Sequence, residues 1–392
     1  MEKKGIAVIG AGMIGAAHAS GYRAQLPRFL KREPGLHLST VCDANQEAAQ
    51  ALAASYGFPR VTLRWQEVVA EDSIRILSVA LPNFLHEEVT YAALSAGKHV
   101  ICEKPLALTA AGARILCAKA AEAGVTAAAV FNYRRFPAVA GIKKLVDQGL
   151  IGDPVQIVVQ AQSEYAADPQ LPYSWRYSRK LAGGGALYDV GTHAIDLAMF
   201  LCGELEEILG AVETTVIRSR FLPVAATTGH GHAELGAEQR SVDTDDLSSA
   251  VMRFKSGCLG LFSASRVAVG MGNTLSFFLA GTLGSVRFST ERPDEYQLAR
   301  RDGPGPASFS TLRNSASSPY ASQYLPVPHD GVAVGYAEAF GFMIGEFLEA
   351  ALSGVAMANG PLGDGLRAAE ALEAIQRAAE LGRPVRLQEV RQ

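Results

Sequence analysis

The feature that most narrows the folds open to this chain is an alternation that fills residues 5 to about 130. GIAVIG, LSTVCD, IRILSVALP, HVICEKP and TAAAVFN follow one another, each separated from the next by a longer, alanine-rich stretch. Short apolar runs joined by helical stretches demand crossover connections, and such crossovers build a parallel, doubly wound α/β sheet with right-handed connections. The rhythm stops at FNYRRFP, where arginines and a proline interrupt it.

From Pro154 onward PVQIVVQAQ, LGAVETTVIRS, SSAVMRFKS, CLGLFSASRV, TLSFFLAG and GSVRFST read as strands joined by short turns, with a helical stretch near 187–201 after the first. This pattern predicts an α+β second domain with a large, mainly antiparallel open sheet. Residues 222–242 and 302–330, rich in small residues and proline, read as loops or insertions. Apolar residues at Leu362, Leu366, Ala369, Leu372, Ile375 and Ala378 predict a C-terminal helix. The expected domains are 1–131, with 360–392 packing back on it, and 132–359.

The 36 basic and 39 acidic side chains leave a formal charge of −3, which provides no long-range field for nucleic acid or an anionic membrane. The five cysteines (42, 102, 117, 202 and 258) form no CxxC pair, which suits a reducing compartment. MEKK runs into GIAVIG with too short an apolar core for a signal peptide, so a soluble cytoplasmic protein is expected.

Gly10-Ala11-Gly12-Met13-Ile14-Gly15 follows the first strand directly and opens a helix. The first glycine permits the tight turn, the second lets a pyrophosphate approach the backbone, and the third allows close helix packing. The amides of the helix start then face the phosphates. Asp43, ending the second strand, can accept from both hydroxyls of an adenosine ribose and repel a 2′-phosphate, which favours NAD over NADP.

Ligands in doubly wound sheets sit beyond the carboxyl ends of strands, where Pro82-Asn83 and Glu103-Lys104-Pro105 fall. A lysine there can steady the developing charge on the oxygen of a reacting carbinol, although a surface cation after a strand would look the same. In GGGALYDVGTHAID a helix from about residue 187 would put Asp189, His193 and Asp196 at i, i+4 and i+7, an acid, imidazole and acid stripe facing a cavity or water. Such a histidine titrates near neutrality and suits proton transfer coupled to hydride transfer. The three could also hold a divalent ion, but a fourth ligand is not evident, so no metal is expected. His230 and His232 in the small-residue loop read as solvated.

GAGMIG, LPNFLHEEVTYAALSAGKHVICEKPLALT, FNYRRFPAV, SWRY and GGGALYDVGTHAID, in that order, resemble the glucose-fructose oxidoreductase and inositol dehydrogenase family, Gfo/Idh/MocA. The resemblance spans nearly the whole chain. It implies a catalytic group of Lys104, Asp189 and His193, with His193 as proton acceptor during alcohol oxidation and Asp196 orienting or extending the network. It implies that Leu81, Pro82, Asn83, His86 and Glu103 line the nicotinamide end, with Asn132, Trp175 and Arg176 also against the cofactor. Leu81 stands where many members have Thr. A fainter similarity to the branch with levoglucosan dehydrogenase and some inositol dehydrogenases makes Tyr133, Arg176, Thr192 and Tyr336 candidate substrate contacts.

The activity implied is NAD-dependent oxidation of a secondary hydroxyl on a sugar, anhydrosugar or inositol-type polyol, by a dimer or tetramer assembled through the open sheet face. Two alternatives stand beside it: a cofactor-binding sensor without turnover, and a sugar-sugar oxidoreductase with tightly held cofactor.

Overall fold

The computed structural model describes residues 3–225, 231–301, 303 and 305–391, so His230 lies outside the described residues. The chain divides into one unit of Met1–Asn132 with Tyr336–Arg367 and a second of Tyr133–Gly335 with Ala368–Gln392.

In the first unit six strands form the expected parallel sheet. They are β1 (Lys4–Ile9), β2 (Leu36–Cys42), β3 (Arg60–Thr62), β4 (Ile74–Val79), β5 (His99–Cys102) and β6 (Ala127–Ala129), in the order β3-β2-β1-β4-β5-β6. The order reverses at β1, so the carboxyl ends of β1 and β4 flank the switch point where such sheets bind ligands. The crossovers are α1 (Met13–Gln25), α2 (Gln46–Tyr56), α3 (Trp65–Ala70), α4 (Asn83–Ser95) and α5 (Ala110–Ala123). Ile6, Val8, Val41, Ile76 and Ile101 fill the core between sheet and helices.

A later segment completes this unit. The helix Tyr336–Ser353 packs along α1, and its Phe340, Met343, Ile344, Phe347 and Leu348 join Ala19 and Tyr22 in one buried cluster. A Cβ at Gly21 would come within 2.9 Å of Ile344 Cγ1, so the glycine sets how closely the two helices approach. Burying each such side chain is worth roughly 1.5–3 kcal/mol. The first unit takes Tyr336–Arg367, of which 360–367 belong to the expected returning segment 360–392, and the boundary falls inside the helix Leu362–Leu381. FGFMIGEF announces burial but not which surface does the burying.

The second unit opens with α6 (Pro137–Asp147), followed by β7 (Pro154–Ser163), α7 (Arg179–Ala182), α8 (Thr192–Cys202), β8 (Leu205–Thr214), β9 (Ser219–Pro223), β10 (Leu235–Ser241), β11 (Leu247–Phe254), β12 (Leu259–Ser265), β13 (Asn273–Gly281), β14 (Gly284–Ser289), β15 (Glu295–Arg300), β16 (Ser310–Arg313) and β17 (Val385–Arg386). Nine of these make one sheet, β16-β15-β14-β13-β7-β12-β11-β8-β17, antiparallel except for the central β7–β12 pair. Alternation along the strands buries Ile157, Val159, Phe262, Ala250 and Met252 on one face, while Val251, Leu259 and Leu261 of the other face are 40–46% exposed. The stretch 222–242 is not all loop: β10 pairs with β9, and within 302–330 lie β16 and a helical turn at Ala321–Tyr324. Their polar, half-exposed residues carry no strong alternation for a sequence reading to find.

Candidate active site

Each glycine of the first turn answers a separate steric demand. Gly10 has φ of +107° and a Cβ there would lie 2.1 Å from the Ala80 carbonyl oxygen; at Gly15 it would lie 1.9 Å from the oxygen of Gly10. At Gly12 nothing stands within 4 Å of the same position, which leaves the backbone open to a ligand. Helix α1 starts there with no side-chain cap and no acid in its first turn, so the amides of Met13 and Ile14 present positive ends to that space.

Asp43 stands where the pattern predicts, just past Cys42. Its Oδ2 accepts from the Ala11 amide at 2.7 Å and its Oδ1 from Asn45 N at 2.8 Å, so the carboxylate also holds the glycine turn in place. A carboxylate has about four acceptor positions, which leaves room for ribose hydroxyls. The turn and Asp43 thus fit a dinucleotide.

At the ends of β4 and β5 the loops interlock. Pro82 caps α4, Asn83 is its first residue, and His86 one turn on is buried with Nδ1 2.7 Å from Pro105 O and Nε2 2.7 Å from Leu81 O. Burial pushes the His86 pKa down, while those two carbonyls and the nearby Glu103 work in the opposite direction. Glu103 is buried, accepting from the Lys104 amide at 3.1 Å, and Lys104 precedes a cis Pro105. Asn132 is wholly buried, and its side-chain N and O find no hydrogen-bond partner among the described residues.

In the second unit GGGALYDVGTHAID begins against the acidic segment VDTDD. Asp245 Oδ1 accepts from Gly185 N at 2.6 Å and its Oδ2 from Leu187 N at 2.8 Å, while Ala186 N bonds its main-chain oxygen at 2.9 Å. A Cβ at Gly185 would collide with that oxygen at 1.8 Å. Asp246 pairs with buried Arg266 at 2.7 Å, and Arg266 in turn bonds Thr244 Oγ1 at 2.9 Å.

Leu187–Gly191 forms a π-helical turn before α8, not a regular start, so Asp189 leaves the phase of the α-helical stripe expected for it. Tyr165 donates to Asp189 Oδ2 at 2.6 Å, and Arg176 Nε lies 3.9 Å from the same oxygen. Burial, then the charge of Asp189, drives the Tyr165 phenol well above its ordinary pKa, so it stays a donor. The Tyr133 ring meets His193 edge-on at 4.6 Å between centroids, and its hydroxyl accepts from Asn273 Nδ2 at 3.2 Å. Burial pushes the Tyr133 phenol up to about 12.

Asp189 thus stands with Tyr165 and Arg176, Tyr133 stands with His193, and the charge of Asp189 acts on the Tyr133 phenol. Asp196 is placed otherwise: it is buried, and its carboxylate accepts from Arg134 Nε at 2.8 Å and from Arg134 Nη2. The expected stripe does not face a cavity or water along its length. Thr192 is fully buried and gives its hydroxyl proton to Tyr188 O at 2.6 Å. The Arg176 guanidinium lies over the Trp175 ring at 4.4 Å. Tyr336 belongs to the first unit, where it meets Phe340 edge-on at 5.2 Å.

Tyr165 and Asp245 escaped the sequence reading. Tyr165 leaves no local signal. Asp245 had one, three acids within VDTDD directly before an alternating strand. Among the described residues no group of three or more His, Cys, Asp and Glu is placed to hold a metal ion, His232 is largely exposed, and no helix is long and apolar enough to cross a membrane.

Residues 4–131 match the model of an oxidoreductase family with an NAD-binding Rossmann fold, and 139–287 match the GFO/IDH/MocA C-terminal domain. Levoglucosan dehydrogenase of Pseudarthrobacter phenanthrenivorans is 36% identical over 341 residues, 86% of each chain. The chain belongs to the Gfo/Idh/MocA oxidoreductase family. Other members of this family resemble it along much of its length: inositol 2-dehydrogenase of Rhizobium meliloti is 26% identical over 92% of each chain. A solved levoglucosan dehydrogenase complex with NADH and levoglucosan superimposes with a TM-score of 0.88 at 33% identity, over 98% of this chain and 99% of that one. As a Gfo/Idh/MocA protein the chain has the NAD-binding Rossmann domain and the second-domain sheet of its family.

Proposed function

We propose that this protein is an NAD-dependent dehydrogenase that oxidises a secondary hydroxyl of a sugar, anhydrosugar or inositol-type polyol, with Lys104, Asp189 and His193 as its catalytic residues. The observation that carries the reading is the second-unit cluster, in which a carboxylate oriented by Tyr165 stands with Arg176, and an imidazole stands against Tyr133. Aromatic faces beside hydrogen-bonding groups suit a polyhydroxylated ring. The similarity to levoglucosan dehydrogenase supports the same substrate class.

NAD, when bound, takes up the hydride. The chain's own groups do the rest. The turn Gly10 to Gly15 and Asp43 hold the dinucleotide, with Leu81, Pro82, Asn83, His86, Glu103, Asn132, Trp175 and Arg176 toward its nicotinamide end. His193 takes the hydroxyl proton, Asp189 stabilises the imidazolium that results, and the Lys104 ammonium steadies charge on the carbinol oxygen. Tyr133, Arg176, Thr192, Asp196 and Tyr336 are the proposed substrate contacts. The protein works as a dimer or tetramer in the cytoplasm.

NADH formation from NAD would be measured across levoglucosan, inositols and aldoses. Lys104→Ala and His193→Ala should each lower kcat by about two orders of magnitude or more on the best substrate, with NADH affinity by fluorescence little changed. The double variant should be far less impaired than the product of the single effects. Near-normal kcat in His193→Ala across pH 6–10 would move the acid-base role elsewhere, and no turnover on any sugar would favour a sensor.

A further inference from the structure

Four buried polar groups in the first unit are joined end to end. Tyr22 OH lies 2.9 Å from Ser78 Oγ, Ser78 Oγ 2.9 Å from His18 Nδ1, and His18 Nε2 3.1 Å from Glu103 Oε1. Tyr22, Ser78 and His18 have no exposed surface, and the ring of Phe340 packs 5.5 Å from that of His18. Groups so buried must satisfy one another, because water cannot.

The directions of the bonds follow from the end of the chain. Glu103 Oε2 accepts from the Lys104 amide and Oε1 faces His18, so the carboxylate is the acceptor at both ends and the imidazole proton sits on Nε2. Nδ1 is then the acceptor for the Ser78 hydroxyl, whose oxygen receives the Tyr22 proton. Burial raises the Tyr22 pKa, which keeps that phenol a donor.

We propose that His18 is a positioning residue: it fixes the Glu103 carboxylate, which holds the Lys104 amide and so sets where the Lys104 side chain departs from the loop. The proposal rests on the reading of Lys104 given above, and it links the helix of the glycine turn to the loop after β5. No dedicated sequence motif marks His18, but it lies at spacing 15, 18, 19, 22 on the inner face of α1.

Amide hydrogen exchange on the ligand-free protein tests this without turnover. In His18→Ala the Lys104 amide should exchange about tenfold faster or more. Added imidazole should restore protection, whereas 1-methylimidazole, which fills space but has no N–H to donate, should not. On levoglucosan or the best substrate found, kcat should fall in parallel and recover with imidazole alone. An unchanged Lys104 amide in the folded variant overturns the proposal, as does equal rescue by both imidazoles. If His18→Ala does not fold, Ser78→Ala replaces it, and undisturbed Lys104 protection there overturns the proposal too. Full activity in Lys104→Ala would instead defeat the role given to that lysine, leaving the exchange result to judge His18.

Discussion

Tyr165 donates its phenolic hydrogen to Asp189 at 2.6 Å, across 24 residues of sequence. A charge-assisted bond such as this part-buried one is worth about 1.5–3 kcal/mol. Tyr165→Phe keeps the ring and removes only the donor. It should lower kcat by about tenfold or more while leaving the affinity for NADH near that of the parent, as measured by steady-state kinetics and fluorescence titration. A reduced NADH affinity with intact kcat would assign Tyr165 to the cofactor side.

Asp43 accepts from the Ala11 and Asn45 amides and, by expectation, from a ribose. Asp43→Ser should raise KM for NAD and narrow the preference for NAD over NADP by about tenfold or more, since the repulsion of a 2′-phosphate goes with the carboxylate. Comparing kcat/KM with the two cofactors measures it. A parent enzyme that prefers NADP would defeat the assignment.

Glu213 offers a pH effect on stability. Burial, and then the charge of Asp245, pushes its pKa from 4.5 up to about 7, while Arg179 at 3.3 Å works the other way. The folded chain therefore holds a proton that the unfolded chain has lost between about pH 4.5 and 7, and stability falls as pH rises through that window. Glu213→Gln should remove this slope. In denaturant titrations the variant should match the parent near pH 4.5 and exceed it by roughly 1–3 kcal/mol at pH 8. Parallel pH profiles for the two would show that Arg179 holds Glu213 ionised.

The exposed sheet face gives a test of assembly. Leu261 stands opposite Val158 and Val251 in the ladder, and Leu259 lies one pair along. A row of half-exposed aliphatics across adjacent strands suits burial against a second copy. Leu261→Asp should shift the mass measured by light scattering toward the monomer without loss of secondary structure. An unchanged mass would show that this face does not bind a second copy.

What the sequence made legible was local. Gly10, Gly12 and Gly15 answer to backbone geometry within one turn, and the strand and helix periods before residue 130 are visible in any short window. The site partners were not, because each is long-range: Asp245 reaches back 58 and 60 residues to Leu187 and Gly185, and Arg134 pairs with Asp196 across 62. Periodicity suggested one helical stripe for Asp189, His193 and Asp196. The π-helical turn shifts its phase, and Arg134 claims its third member.

The helix Tyr336–Ser353, seated along α1, has a consequence for how the chain is made. On the ribosome, residues 3–132 emerge long before the segment that covers Ala19 and Tyr22, with some two hundred residues of the other unit in between. The nascent dinucleotide domain therefore carries an uncovered apolar groove until residues 336–367 have been made. Any fragment cut at Asn132 inherits that groove, so a portable version of this domain needs a linker that delivers residues 336–367 in place of everything between.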